Sequence, residues 1–102
     1  MGEDGHTASL FPQSRDLPRV RASHDAYATL DATGCPVAGH YTTRITLTPA
    51  GLAQAHTRVL LLRGQDKLAV FERALIATDP AQMPVALLFD LPGAPLQVHW
   101  CP

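Results

Sequence analysis

The sequence predicts an α/β fold, and three features carry that expectation. Arg58-Val-Leu-Leu-Leu-Arg63 is a continuous apolar run of strand length, the pattern of a strand covered on both faces in a parallel sheet. Arg44-Ile-Thr-Leu-Thr48 and Pro95-Leu-Gln-Val-His-Trp100 alternate in polarity, as half-buried strands do. Between these runs lie two stretches with helix-start chemistry or helical apolar spacing. Strand, helix, buried strand, helix, strand is the order of an α/β layered domain.

Taken along the chain, His6-Thr-Ala-Ser-Leu-Phe11 is expected to open a helix after a glycine turn, with Pro12 ending it. Residues 13–41 mix Pro, Arg, Gly, Asp and Ser with little periodicity. They are expected to be irregular, with short strands near Val20 and at Pro36–Ala38. After the Arg44–Thr48 strand, Thr48 is a helix N-cap and Pro49 fits the first helical position. The helix they start is expected over residues 49–56, with Leu52 and Ala55 on one side. Gly64 breaks the apolar run, and residues 66–77 place Leu68, Val70, Phe71, Ala74 and Leu75 at helical spacing. Residues 84–89 read as helical or irregular, before the closing strand.

Composition narrows the function. With 102 residues, 46% hydrophobic and 17% charged, the chain suits one globular domain or part of a larger one. Eight basic and nine acidic side chains give a net charge of −1, no footprint for nucleic acid or an anionic membrane surface. The apolar runs are too short to span a bilayer. The expected partner is therefore a small molecule. Cys35 and Cys101 are expected to be reduced structural thiols, and no CxxC or CxxH spacing marks a zinc site. His24, His40, His56 and His99 stand singly, with no partner histidine at ligand spacing.

The chemistry concentrates in "MGEDGHTASLFP", residues 1–12. Gly2 and Gly5 permit a tight turn and close approach of a ligand. Asp4 and His6 are two apart, so in a turn the carboxylate can bond the imidazole or the nearby backbone. A histidine titrates near neutrality and suits the general base that activates a water. Thr7 and Ser9 add hydroxyls, and a helix start would supply N–H groups for an oxyanion. The plain alternative is a Gly-Asp turn that exposes His6 without using it. Arg44 and Lys67 form a second constellation: Lys67 sits at the first turn of a helix, against the dipole, where a phosphate would explain it. A solvated surface lysine is the plain alternative there.

Residues 1–12 resemble the signature of the 6-phosphogluconolactonases, close to G-x-G-x-D-G-H-T-A-S-L-F-P. "RITLTPAGLAQAHTRVLLLRGQDK", residues 44–67, is similar to that family's later block, and "PLQVHW" resembles its last strand. The resemblance implies the C-terminal half of a modified Rossmann-like α/β sandwich, shared with glucosamine-6-phosphate deaminases and ribose-5-phosphate isomerases. It further implies a mixed, mostly parallel sheet with flanking helices. It implies hydrolysis of 6-phosphogluconolactone in the pentose phosphate pathway, without metal or cofactor, in the cytoplasm. His6 would be the general base and Asp4 its support, and the Gly2/Gly5 turn and Thr7 would lie against the sugar. Arg44 and Lys67 would help hold the 6-phosphate.

The deaminases are the nearest rival. Their similar phrase carries a carboxylate before the proline, where this chain has Phe11, which moves no proton. A non-catalytic sugar-phosphate binder, or a subunit half completed by another chain, is the alternative from a different class. A metal site on Asp4 and His6 has no further ligand nearby in sequence. Residues 1–102 are expected to form a single partial domain, since the family's phosphate loop and leading strand have no counterpart here. Such a half-sheet would expose residues 59–62 at an open edge, so the chain alone is expected to be poorly stable or self-associating, and weakly active or inactive.

Overall fold

Strand-forming residues pair in two places, and the two pairings differ in sense. In the computed structural model, which describes residues 1–102, β1 (Tyr27–Asp31) runs antiparallel to β2 (Thr43–Leu47). Leu30 lies opposite Arg44, and Ala28 opposite Thr46. β3 (Arg58–Arg63) runs parallel to β4 (Leu96–Cys101), with Leu60 opposite Val98 and Leu62 opposite Trp100. A parallel pair needs a crossover. It is supplied by helix α3 (Gln65–Leu75) and the short helical turn Pro84–Leu88, which also touch each other. Helices α1 (Leu17–Arg21) and α2 (Pro49–Ala53) pack against β1 and β2.

Two apolar cores follow from these pairings. Leu10, Phe11, Leu17, Val20, Leu30, Ala32, Cys35 and Ala38 form one, under the β1–β2 pair. Leu60, Leu62, Ala74, Val85 and Leu88 form the other, between β3 and its crossover. Leu52 of α2 packs against both and joins them.

Where local chemistry was strong, the elements form as expected. Thr48 caps α2: its Oγ1 accepts the Gly51 N–H at 3.0 Å, and Pro49 occupies the first turn. The helix ends at Ala53, short of the expected residue 56, and its Leu52 is half-buried. β3 has the bounds its apolar run predicts. α3 starts after Gly64, whose φ of 86° is open to glycine, and buries Val70 and Ala74.

Three expectations are corrected. His6–Phe11 is not a helix but a turn, closed by the Leu10 N–H on the Thr7 carbonyl at 2.9 Å. Asp4 takes the His6 N–H with its side chain, and Ala8 sits at φ 49°, so the backbone turns before a helix can start. The region near Val20 is helix α1 rather than a strand: Pro18 pre-sets its first turn, and Leu17 and Val20, three apart, share the buried face. Pro36–Ala38 is a single helical turn, while the strand of this region lies at β1. Tyr27, Thr29 and Asp31 face one way and Ala28 and Leu30 the other, an alternation that marks β1 in hindsight.

β3 is covered on one face only, which corrects the expectation of a strand covered on both. Leu60 and Leu62 are buried, whereas Val59 and Leu61 on the other face are 48% and 74% exposed. No element of this chain packs there.

Candidate active site

The site is built on the turn between Met1 and Pro12. The Gly2 N–H bonds the His6 carbonyl at 2.9 Å and the Gly5 N–H bonds the Gly2 carbonyl at 3.1 Å, closing a small loop. Gly5 is buried at φ 80° and its carbonyl takes the Val85 N–H at 2.8 Å, tying the loop to the Pro84–Leu88 turn. Gly2 has no room for a side chain: a Cβ there would overlap the His6 imidazole and crowd the Asp4 carboxylate. The glycine at this position is what lets the ring lie against the backbone.

Asp4 and His6 come together as their spacing predicts. Asp4 Oδ1 accepts the His6 backbone N–H at 3.0 Å and lies 2.5 Å from His6 Nδ1. A carboxylate on Nδ1 favours the tautomer whose proton lies there, and Nε2 makes no hydrogen bond within the chain. The two side chains are about one-fifth exposed, at 20% and 22%. That is open enough for a water or substrate to reach the ring. On the other side, the Phe11 ring lies 4.5 Å from the imidazole, tilted by 40°.

The two expected cations grip opposite ends of this segment. Lys67, in the first turn of α3, donates from Nζ to the Met1 carbonyl at 2.9 Å. Burial, and then the Lys67 charge, pushes the Met1 amino group below its ordinary value. Arg44, on β2, faces the same way as Thr46 and Leu30 by strand alternation. Its guanidinium donates to the Ala38 carbonyl at 3.0 Å, to the Tyr41 carbonyl, and to Ser9 Oγ at 3.5 Å. It also stands 5.3 Å from the centre of the Phe11 ring. Thr7 lines a surface cavity of about 240 Å³ with Leu52, Arg58 and Leu88. The cavities of this chain do not include His6, Asp4 or Lys67 in their walls.

Some contributors escaped the sequence reading. Thr46 accepts the Ser9 N–H on its Oγ1 at 3.0 Å, and Met83 packs close to Gly5. Both contacts join residues distant in sequence, and no local pattern announces them. Cys35 is buried and Cys101 exposed, each unpaired. Burial, followed by the charge of Asp4, pushes the Cys35 thiol above its ordinary value. His24, His40, His56 and His99 are all exposed. No third metal-ligating side chain joins Asp4 and His6, and no helix is long and apolar enough to cross a membrane.

Comparison with known proteins identifies the family of the chain. Residues 1–100 match the family described as glucosamine-6-phosphate isomerases/6-phosphogluconolactonase. A 6-phosphogluconolactonase of Xylella fastidiosa (strain 9a5c) is 54% identical over 101 residues, which are 99% of this chain and 42% of that protein. One of Pseudomonas aeruginosa is 40% identical over 102 residues, 100% of this chain and 40% of that protein. Among solved structures, a 6-phosphogluconolactonase from Shewanella baltica OS155 superposes with a TM-score of 0.85 at 31% identity, covering 98% of this chain and 41% of that one. The 6-phosphogluconolactonase from Trypanosoma cruzi gives a TM-score of 0.69 at 29% identity, over 97% of this chain and 36% of that one. The chain thus spans about two-fifths of the length of the relatives it matches. The shared fold is the Rossmann-like α/β fold that the motifs imply, and the match runs through the Asp4–His6 turn, both strand pairs and the crossover. This chain belongs to the glucosamine-6-phosphate isomerase/6-phosphogluconolactonase family.

Proposed function

We propose that this chain carries the hydrolytic turn of a 6-phosphogluconolactonase, with His6 as general base. The observation that carries the reading is the Asp4–His6 pair, seated between Gly2 and Phe11. His6 Nε2 takes a proton from a water as its oxygen attacks the lactone carbonyl carbon. The tetrahedral intermediate then collapses, breaking the bond from that carbon to the ring oxygen. The imidazolium returns its proton to the departing ring oxygen, leaving a hydroxyl and a carboxylic acid that ionises in water. Asp4 keeps the proton on Nδ1 and stabilises the positive ring between the two steps.

Lys67 supplies the direct contact to the 6-phosphate. Its ammonium already lies against the start of the turn, on a main-chain oxygen that a phosphate would replace. Gly2, Gly5 and Thr7 form the wall nearest the sugar, and Arg44, expected to help hold the phosphate, stands instead behind Phe11. The hydrolysis uses one base and a water, and needs no metal ion or organic cofactor. Phe11 favours hydrolysis over deamination. It is 1% exposed and packs on His6, at the position where a deaminase places a second acid–base group.

Residues 1–102 act, in this proposal, as one partial domain that supplies the base and one phosphate-binding cation. No cavity of this chain is walled by His6. Thr7 of the proposed sugar wall does line a cavity, which favours a second reading, in which the chain alone holds the sugar phosphate without turning it over. Lactone hydrolysis, with the spontaneous rate subtracted, separates the two. The lactonase reading expects turnover that His6→Ala abolishes while binding of 6-phosphogluconate persists. Turnover that survives His6→Ala removes the general base from His6.

A further inference from the structure

We propose that Arg44 is a positioning residue for His6, acting through the ring of Phe11 rather than through the substrate. The inference rests on the general-base reading of His6. The hydrogen bond to Asp4 holds Nδ1 and the Gly2 backbone lies close to the ring, so packing on the remaining face limits what rotation about the Cβ–Cγ bond is left. A flat surface against its face sets the plane, and therefore the direction of Nε2. Phe11 is that surface, with its centre 4.5 Å from the His6 ring.

What sets the plane of Phe11 is Arg44. Its guanidinium carbon lies 5.3 Å from the Phe11 centre, on a ring that is otherwise enclosed by apolar neighbours. The donors of that guanidinium are engaged by the Ala38 and Tyr41 carbonyls and by Ser9 Oγ. A planar group can donate within its plane and cover an aromatic ring with its face, which a lysine ammonium cannot do. The turn is held to the same strand by a second tie, the Ser9 N–H on Thr46 Oγ1 at 3.0 Å. Between His6 and Ser9, Ala8 stays at φ 49°, a conformation an alanine keeps only where its surroundings impose it. Arg44 and Thr46 of β2 impose it from one side, and the buried Leu10 and Phe11 from the other. His6, Phe11 and Arg44 thus form a stack running from the reacting nitrogen to the strand.

A positioning role and a phosphate contact predict different outcomes at Arg44. The test is NMR on the 15N,13C-labelled chain, reading the His6 ring protons and ring nitrogens in wild type, Phe11→Leu, Arg44→Gln, Arg44→Lys and the Phe11→Leu/Arg44→Gln double variant. Wild type is expected to show NOEs between the His6 and Phe11 rings. Phe11→Leu shifts the His6 ring protons by removing the aromatic ring current. Arg44→Gln and Arg44→Lys are expected to move the same signals, although Arg44 does not touch His6. The double variant then gives no more change than Phe11→Leu alone. His6 signals that stay in place in Arg44→Gln overturn the proposal. Where Arg44→Gln does not fold, unmoved signals in Arg44→Lys do so, as does a wild type lacking the ring–ring NOEs.

In lactone hydrolysis, Arg44→Lys is expected to lower kcat by about tenfold to a hundredfold with KM little changed, the signature of a misplaced base. A raised KM with kcat intact assigns Arg44 to the phosphate instead. A wild-type chain without turnover bears only on whether residues 1–102 suffice for activity, and the NMR signals still decide the stack.

Discussion

Asp4 Oδ1 stands 2.5 Å from His6 Nδ1 and 3.0 Å from the His6 backbone N–H, so one carboxylate oxygen holds both the ring and the main chain of the same histidine. Asp4→Asn keeps an oxygen for the backbone N–H but removes the charge that supports a protonated ring. We expect kcat for lactone hydrolysis to fall by about a hundredfold or more, with KM little changed. Steady-state kinetics on the folded variant checks it, and an unchanged kcat removes Asp4 from the mechanism.

Lys67 reaches the start of the turn from α3, and its Nζ bonds the Met1 carbonyl at 2.9 Å. Lys67→Met keeps the stem and removes the charge. A charged hydrogen bond is worth about 1.5–3 kcal/mol, so KM should rise by about tenfold to a hundredfold. Inorganic phosphate should also lose its competition in the variant. Inhibition by phosphate that stays at the wild-type level contradicts the assignment.

Thr48 is fully buried, and its hydroxyl both accepts the Gly51 N–H and donates to the Asp25 carbonyl. Thr48→Ala leaves both groups unpaired and should cost about 1–2 kcal/mol in urea unfolding. Thr48→Ser keeps the oxygen and should recover most of that loss. Equal stability of the two variants would show that the methyl group, not the cap, matters.

Asp31 gains hydrogen bonds from Thr33 and an ion pair with Arg15 at 2.6 Å, and these hold its carboxyl below the ordinary value of 3.8. A carboxyl lowered by folding stabilises the fold above its unfolded pKa, and that contribution is lost as pH falls through the lowered folded value. Stability should therefore decline with acidification below about pH 4 more steeply in wild type than in Asp31→Asn. Parallel unfolding midpoints between pH 5 and pH 2, read by circular dichroism, would assign the acid sensitivity elsewhere.

Leu61 is 74% exposed on the open face of β3, beside Val59 at 48%. An uncovered apolar strand face favours self-association. Sedimentation velocity is expected to show concentration-dependent association that Leu61→Lys suppresses. A monodisperse wild-type monomer across the micromolar range refutes this.

Much of the fold is legible because its signals are local. Thr48-Pro49 states a helix start within two residues, and Arg58–Arg63 states a strand by its own composition. Residues 13–41 gave no such statement. α1 and β1 take their identity from Leu17, Val20 and Leu30 meeting Leu10 and Phe11 in one core, partners that lie outside any short window. The turn at His6–Phe11 departs from its helix-like phrase for the same reason. Leu10 and Phe11 are both buried against distant strands, and that burial overrides the helix-like phrase.

The sequence by itself determined which groups the candidate site offers: the residue types, the Asp4–His6 spacing and the glycine beside them form one uninterrupted phrase. Only the tertiary structure decided how that phrase is held. Lys67 is 66 residues from Met1 and Arg44 is 35 from Ser9, and each tie exists because a strand or helix starts beside the turn. Local pattern encodes what a residue can do; chain crossing decides what it faces.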